Sequence, residues 1–409
     1  MTVSPPAPPL ELRSRRVAGT VEFPVHHMRG GTSTGLVLWE PLVPADPALR
    51  EELLRHLMGV PLAGDRPGNR QVTGLGRGIP TSNKVFLAGV EEAGGISRIV
   101  STLAQLAADH AAIDWSVNCG NMSSSLQLWA LDTGFVRAAA PGPCEVDIRN
   151  TNTGVLTTSR MSLEEDGRFA LAEIPGVDGA FAGVDLFLHD PVGSKTGALL
   201  PTGSVTDQVA GHTVSCVDVA VPMLIAEAAS FGKTAREPMA ELVADAAFME
   251  AFRAVWIEAG LLMGLKRRDG GTMSAEEIAR SETVPKACIV GTPEGAGSIS
   301  VRYFTPQTGH PSMAVSGGCC LAAAALVPGS VAHRVARGLA EPGAEFGDIE
   351  VGIENPAGIL DATVVARREG EGIAIRSAAY RRSTQILLRG HVPLYRASEA
   401  LERALLAAD

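Results

Sequence analysis

An α+β protein of two similar halves is the fold class that the sequence predicts, on three observations. Strand-like runs recur on both sides of the middle of the chain. Each half carries one short apolar helix. Each of those helices is entered through a turn of small residues with cysteine, at Asn118-Cys119-Gly120-Asn121-Met122 and at Ser316-Gly317-Gly318-Cys319-Cys320. Together these make a weak internal repeat.

The elements follow in order. Residues 1–18 are Pro-rich, carry Arg13, Arg15 and Arg16, and lack an apolar run of signal-peptide length, so they read as a disordered tail. Residues 21–28 read as a strand, 29–35 as a glycine-rich turn and 36–39 as the returning strand. A short helix is expected at 48–58, a glycine-rich loop at 71–80, and strands at 84–88, 97–107 and 111–117. Asn118 is the expected N-cap of a helix running through Leu131 and stopping before Gly134. A hairpin pattern spans 145–159 and 168–174. The second half opens with a strand at 214–219 and a helix at 222–230. A longer helical region runs from Pro238, which suits a first turn, to about Leu265, with Leu242, Phe248, Phe252 and Trp256 on its apolar face. Strands follow at 287–290 and 298–304. The second apolar helix ends before Pro328-Gly329, and strands at 349–353, 362–366 and 372–375 complete the pattern. The domains are expected at 19–203 and 204–409, with the last residues packing back on the first.

The chain has 409 residues, 45% hydrophobic and 20% charged, which is ample for two domains. A net charge of −10 with no basic run excludes a nucleic-acid binder. No run of about 18 apolar residues exists, so no membrane-spanning helix is expected. The cysteines Cys119, Cys144, Cys216, Cys288, Cys319 and Cys320 form no C-x-x-C pair, and a core of this size does not need disulfides. Reduced thiols in a cytoplasmic protein are expected. The histidines, the pair His26-His27 included, show no metal-ligand spacing, and no dinucleotide fingerprint occurs. No metal or other cofactor is therefore expected. The run Gly193-Ser194-Lys195-Thr196-Gly197 resembles the end of a phosphate-binding loop. The required earlier glycine is missing, and Pro201 prevents a following helix.

A thiol at a helix start sits where unpaired N–H groups favour negative charge, which lowers its pKa and also makes a place for a carboxylate. The same turn also suits a small buried cysteine. Two such helix starts facing one cleft would attract a dicarboxylate or tricarboxylate. Small residues there would equally let two buried helices pack tightly.

Several segments occur in one order: Arg29-Gly30-Gly31-Thr32-Ser33, Gly74-Leu75-Gly76, Lys84-Val85, Asn118-Cys119-Gly120-Asn121, Asn150-Thr151-Asn152-Thr153-Gly154, Gly193 to Gly197 with Leu200-Pro201-Thr202-Gly203, and Pro285-Lys286. In this order the chain resembles the PrpF family of methylaconitate and oxalomesaconate isomerases and tautomerases, from about residue 20 to 395. The resemblance implies a diaminopimelate epimerase-like fold, two similar domains each a curled, mostly antiparallel sheet around a central helix, with the site between them. It implies cofactor-independent proton transfer with Cys119 and Lys84 facing the substrate. The family turn often carries lysine where Thr34 stands here, and serine where Asn83 stands. Its R-T-A-R-like segment reads Arg382-Ser383-Thr384-Gln385, without the last arginine. Ala314 occupies the place of the second cysteine of a true two-thiol epimerase.

The implied reaction is a 1,3-allylic proton transfer that moves a C=C bond in an unsaturated tricarboxylate or keto acid. Either Lys84 or Cys119 could be the base. Backbone N–H groups of Gly120, Asn121, Ser316, Gly317 and Gly318 are the candidate carboxylate holders, with Met122 in the same turn and Arg29, Ser33 and His310 as further binding candidates. Cys319 and Cys320 read as packing residues. The competing readings are an epimerase or racemase, a non-catalytic accessory protein to an aconitase-like enzyme, and a cysteine hydrolase. A small di- or tricarboxylate substrate is the expected partner, with neither nucleic acid nor membrane; a homodimer stays open.

Overall fold

The computed structural model describes residues 11–93, 96–116, 118–138, 141–267, 269–281, 283–305 and 308–407. They form two compact units. Unit 1 holds the described residues up to Glu173, Gly179–Val184, and those from Arg382 onward; unit 2 holds Ile174–Asp178 and Asp185–Arg381. The expected boundary at 203/204 falls inside unit 2. After the short stretch Ile174–Asp178, the chain enters that unit again within the strand Phe181–His189 and leaves it within the strand Gly372–Pro393, so two long strands serve both units.

Unit 1 opens with β1 (Arg15–Val17), β2 (Thr20–Gly30) and β3 (Ser33–Trp39), paired antiparallel in sequence. A disordered tail was expected to cover β1. Instead a turn through Ala18 and Gly19, both at positive φ, folds it onto β2, while residues 1–10 lie outside the described residues. α1 (Pro47–Met58) is capped by the Asp46 carboxylate, which accepts from the amides of Ala48 and Leu49, and it ends at Gly59 in the left-handed region. β4 (Lys84–Ala93) runs parallel to β3, and β5 (Ile96–Leu106) antiparallel to β4. Of the strand expected at 111–117 only β6 (Ile113–Asp114) pairs, and Val117 lies outside the described residues. The single helix expected after Cys119 is two: α2 (Gly120–Ser123) and α3 (Leu126–Asp132). The hydroxyls of Ser124 and Ser125 donate back to the carbonyls of Asn121 and Met122, and this local bonding competes with a continuous helix. β7 (Gly142–Asn150) runs parallel to β5, and β8 (Leu156–Leu163) antiparallel to β7; β9 (Leu171–Ala172) pairs with β10 (Phe181–His189).

In unit 2, β11 (Asp207–Val209), β12 (His212–Val219) and β13 (Val221–Glu227) form an antiparallel meander. β13 corrects the helix expected at 222–230. A short apolar run carries no clear period, and a tight turn at Ala220 (φ 62°) folds it back onto β12 as a strand. The long helical region is α4 (Met239–Ala244) and α5 (Ala246–Leu262), broken at Asp245, whose carboxylate accepts from the Phe248 amide (3.0 Å) and so starts a new helix. Next come α6 (Ala275–Arg280), β14 (Lys286–Gly291), β15 (Ile299–Thr305) and β16 (Thr308–Gly309). They are followed by α7 (Val315–Leu326), α8 (Val331–Val335), β17 (Gly347–Asn355), β18 (Gly358–Glu369) and β19 (Gly372–Pro393). β19 runs far beyond the expected 372–375, and its unit 1 part pairs with β2. Unit 1 then closes with α9 (Glu399–Ala407), whose Leu401 and Leu405 pack in one core with α1.

The repeat is one of topology. In unit 1, β2 and β3 are antiparallel, β3 and β4 parallel, β4 and β5 antiparallel, β5 and β7 parallel, β7 and β8 antiparallel. In unit 2, β12, β13, β14, β15, β17 and β18 repeat that order step by step. Each parallel step needs a crossover, and the second crossover of each unit carries the apolar helix, α2–α3 or α7. This is the α+β epimerase-like fold that the resemblance implies. α7 lies in one core with residues of β12 to β18, and from Gly317 to Leu326 it is buried on every side. Among the described residues no helix is long and apolar enough to cross a membrane.

Close wrapping of α7 depends on its glycines. A Cβ on Gly318 would stand 2.5 Å from Cε2 of the Tyr380 ring, and one on Gly317 2.6 Å from the same atom of Tyr303. Gly→Ala in an open helix gains about 1 kcal/mol. Gly318→Ala should instead lose about 1–3 kcal/mol by overpacking, read as a lower urea midpoint. An unchanged or raised midpoint would contradict this packing.

Candidate active site

The residue that caps α2 is Cys119, not Asn118. The Cys119 sulfur accepts from the Met122 amide (3.5 Å), while the Asn118 carbonyl oxygen Oδ1 accepts from the Cys119 amide (2.7 Å) one step earlier. α2 is a single turn of four residues, so little helix dipole stands behind the thiol. The positive charge comes from elsewhere. Lys84, the first residue of β4, is buried, and Cys119 lies close enough to act on it electrostatically. Burial lowers the Lys84 pKa below the ordinary lysine value, and Cys119 partly offsets this by raising it.

A pinned loop holds Lys84. Its ammonium donates to the Pro80 carbonyl. Gln71, fully buried in the left-handed region (φ 55°), donates through Nε2 to the Met58 carbonyl (3.0 Å) and accepts at Oε1 from the Gly78 amide (2.6 Å). Asn83 Oδ1 accepts from the Arg77 amide (3.2 Å). The loop at 71–80 is therefore fixed at both ends by amide side chains. Sequence reasoning marked its glycines, noted Asn83 only as a departure from the family pattern and missed Gln71; the hydrogen bonds of both side chains fix one particular loop shape.

Around the α2 start, the amides of Gly120 and Asn121 have no partner among the described residues. The Met122 amide serves the Cys119 sulfur and its side chain is buried, which leaves Met122 only a structural contact with the turn. Gly30 and Gly31 approach closely: a Cβ on Gly30 would meet the Asn121 carbonyl at 2.4 Å, and one on Gly31 the Asn121 side chain at 2.5 Å. Ser33, at the start of β3, is buried, and the hydroxyl of its neighbour Thr32 accepts from Asn121 Nδ2 (3.3 Å). Arg29 is buried, and among the described residues it has no carboxylate partner. Its Nη1 donates to the carbonyls of Gly31 and Ser383, its Nε to Gln385 Oε1 (3.1 Å), and it stacks on the Phe181 ring at 4.6 Å. Its Nη2 is buried and has no hydrogen-bond acceptor among the described residues. Gln385 thus accepts from Arg29, where a second guanidinium would oppose it.

In unit 2, Gly318 is corrected as a carboxylate holder: its amide donates to the Ala314 carbonyl (2.9 Å) inside α7. Among the described residues the first-turn amides of Ser316 and Gly317 carry no such bond. Ala314 is the N-cap and supplies no side-chain cap. His310 Nδ1 accepts from the Ser312 amide (3.0 Å), and its ring stands edge-on to Tyr303. Cys319 and Cys320 are buried in the α7 core. The loop Gly193 to Gly197 is a cradle for an internal carboxylate. Buried Asp218 accepts from the Ser194 hydroxyl (2.7 Å), the amides of Lys195 and Thr196 (2.8 Å each) and the Thr196 hydroxyl (2.9 Å), which leaves those donors none for a phosphate.

His26 bonds Asp132 (3.2 Å), which Arg389 also clamps, and burial holds the His27 pKa down at about 4. Among the described residues no three His, Cys, Asp or Glu side chains converge on a metal position.

The sequence profile of the family described as PrpF protein matches residues 20–395, and the chain belongs to that family. It is 32% identical to the (4E)-oxalomesaconate Delta-isomerase of Novosphingobium sp. (strain KA1), over 92% of this chain and 99% of that enzyme. It is 32% identical to the 4-oxalomesaconate tautomerase of Pseudomonas putida, over 78% of this chain and 83% of that enzyme. Among solved structures, that of a methylitaconate-delta-isomerase superposes with a TM-score of 0.77 at 26% identity, covering 95% of this chain and 97% of the other.

The thiols differ in access. Cys119 and Cys144 are half-buried, and Cys216, Cys288, Cys319 and Cys320 are buried. Burial raises the Cys144 pKa and pushes that of Cys216 up to about 12. Iodoacetamide near neutral pH should alkylate Cys119 first, Cys144 more slowly, and the other four only after unfolding, as read by peptide mass mapping. Early labelling of Cys319 or Cys320 would contradict the packing of α7.

Proposed function

We propose that this chain is a cofactor-independent isomerase. It moves a C=C bond by 1,3-allylic proton transfer in an unsaturated tricarboxylate or keto acid of the aconitate, methylaconitate or oxalomesaconate type. The observation that carries the reading is the buried Lys84 held beside the Cys119 thiol. Family membership and the named activities of the relatives support it.

Lys84 is the base and Cys119 the acid. The neutral Lys84 amine removes a proton from the carbon α to a carboxylate. The electron pair delocalises through the double bond as a dienolate, and Cys119 returns a proton at the far carbon while the new double bond forms. The pair is left as ammonium and thiolate, and one proton passing from nitrogen to sulfur restores it. Burial favours the neutral amine, because desolvation disfavours an ammonium. Once formed, the ammonium stabilises the dienolate. The amides of Gly120 and Asn121, which have no partner among the described residues, are suited to hold carboxylate oxygens, with Arg29 and Ser33 proposed in the same role. An epimerase reading finds no support in unit 2, since Ala314 stands at the α7 cap. Activity should survive exhaustive treatment with a chelator. The six cysteines, none of them in a disulfide, suit a reducing compartment such as the cytoplasm.

Lys84→Ala and Cys119→Ala should each lower kcat by about 10²–10⁴-fold. The double variant should be little worse than either, because the two groups complete one transfer. Turnover of aconitate, methylaconitate and oxalomesaconate isomers, followed by proton NMR, measures this. Near-normal turnover by both single variants would refute the mechanism. In the wild type, kcat/KM should rise with pH as Lys84 loses its proton, at a pH below the 10.5 of an ordinary lysine. Because Cys119 raises that pKa, the residual activity of Cys119→Ser should keep the rise at the same pH or move it lower, never higher.

A further inference from the structure

At the start of β4 one carbonyl oxygen serves two side chains. Lys84 and Gln105 are directly opposite in the antiparallel pair of β4 and β5, so both side chains stand on the same face of the sheet. The other face of these strands gives Val85, Leu87, Ala104 and Leu106 to the core shared with α1. Gln105 Nε2 donates to the carbonyls of Pro80 (3.1 Å), Asn83 (3.0 Å) and Leu106 (3.2 Å). The Pro80 carbonyl is also the acceptor for the Lys84 ammonium. Gln105 thus ties the residue before the lysine to the loop that holds the lysine, and it competes with the lysine for the oxygen of that loop.

The competition has a sign. A carbonyl oxygen has two lone pairs, and a second donor leaves it a weaker acceptor for the first. The amide also turns its positive, hydrogen-bearing end toward the oxygen that the ammonium approaches. Both effects disfavour the ammonium and favour the neutral amine. The charged and titratable groups nearby leave room for this control. From the α2 turn, Cys119 acts on Lys84 and raises its pKa. From the loop, Arg77 acts on His27 of β2. On β6, Asp114 is opposite Gln105, one strand further from the lysine, and its carboxylate accepts from the amide (2.8 Å) and hydroxyl (2.7 Å) of Ser116. β3 brings Gly35 to the pair. Apart from Cys119, no titratable group among the described residues acts on the lysine.

We propose that Gln105 is a positioning residue for the proton transfer: by sharing the Pro80 carbonyl with Lys84 and tying the loop to Asn83, it fixes where the lysine nitrogen stands and keeps the ammonium from settling on the loop. This rests on the isomerase reading, in which Lys84 is the base. Gln105 acts through Lys84 and moves no proton itself.

The test reads the lysine in two ways. Full-length wild type, Gln105→Met and Gln105→Glu are compared, with thermal melting to show that they are folded; Gln105→Leu replaces Gln105→Met if the latter is not. Acetylation by acetic anhydride, followed by peptide mass mapping, gives the pH at which the Lys84 amine becomes reactive and needs no substrate. Loss of the shared hydrogen bond in Gln105→Met should move that pH up by about 0.5–1 unit. The carboxylate of Gln105→Glu, set beside the ammonium, should move it up by about 1–3 units. On an acid that the wild type isomerises, the rise of kcat/KM with pH should move in the same direction. Gln105→Met should then lose about 3–10-fold in kcat/KM near neutral pH and regain it at high pH. A side chain that served the fold alone would lower kcat/KM at every pH and leave both profiles in place. That result, or a move of either profile to lower pH, would overturn the proposal. If the labelling profile moves up but no unsaturated acid is isomerised, the isomerase reading fails and the control of Lys84 by Gln105 stands. If isomerisation is found and neither profile moves, only the role of Gln105 fails.

Discussion

An apolar helix with no polar face persists in water only when it is wrapped on all sides, and that constraint organises unit 2. From Gly317 onward, α7 presents only glycine, cysteine, alanine and leucine, and every one of these residues is buried. Antiparallel hairpins alone do not enclose a helix. The chain meets the demand with two parallel steps, each needing a crossover, and threads the helix through the second. Small residues let Tyr303 and Tyr380 close upon the first turn. Unit 1 solves the same problem with a broken helix, where serine hydroxyls take carbonyls that a continuous helix would have used.

Wrapping also decides where chemistry can reside. A buried helix exposes little except its first turn, and the strand that follows the first crossover starts on the same face. A side chain at that strand start and one at the helix cap are thus brought together by the pairing order. In unit 1 those positions hold Lys84 and Cys119. The short α2 supplies little dipole, so the electrostatics of the pair depend on burial and mutual interaction. The loop at 71–80, fixed by Gln71 and Asn83, holds the Pro80 carbonyl to which the lysine donates.

Much of this was legible in the sequence where period and turn chemistry agree. The strands around Lys84, the α1 helix behind Asp46 and the apolar helix before Pro328 all carry such signals. The β13 segment was misread because a short apolar run fits either helix or strand, and only its turn partner decides. The break at Asp245 was hidden inside a helical period that continues on both sides. β10 and most of β19 went unread, since their register is set by partners far along the chain. At the candidate site, Cys119 stood out as a thiol at an expected helix start, whereas Lys84 was named through the family resemblance. That Gly318 spends its amide within α7, that Cys119 itself is the cap, and that Gln71 moulds the loop are facts of hydrogen-bond geometry. No residue pattern encodes them.

The central claim is a division of labour, with Lys84 removing the proton and Cys119 returning it at the other end of the allyl unit. Its most direct test is deuterium incorporation in deuterated water, with an acid that the wild type isomerises. Cys119→Ala should wash solvent deuterium into the carbon that loses its proton while forming almost no isomer, because the lysine can remove and restore a proton on its own side. Lys84→Ala should do neither. Exchange that persists in Lys84→Ala and vanishes in Cys119→Ala would contradict the account.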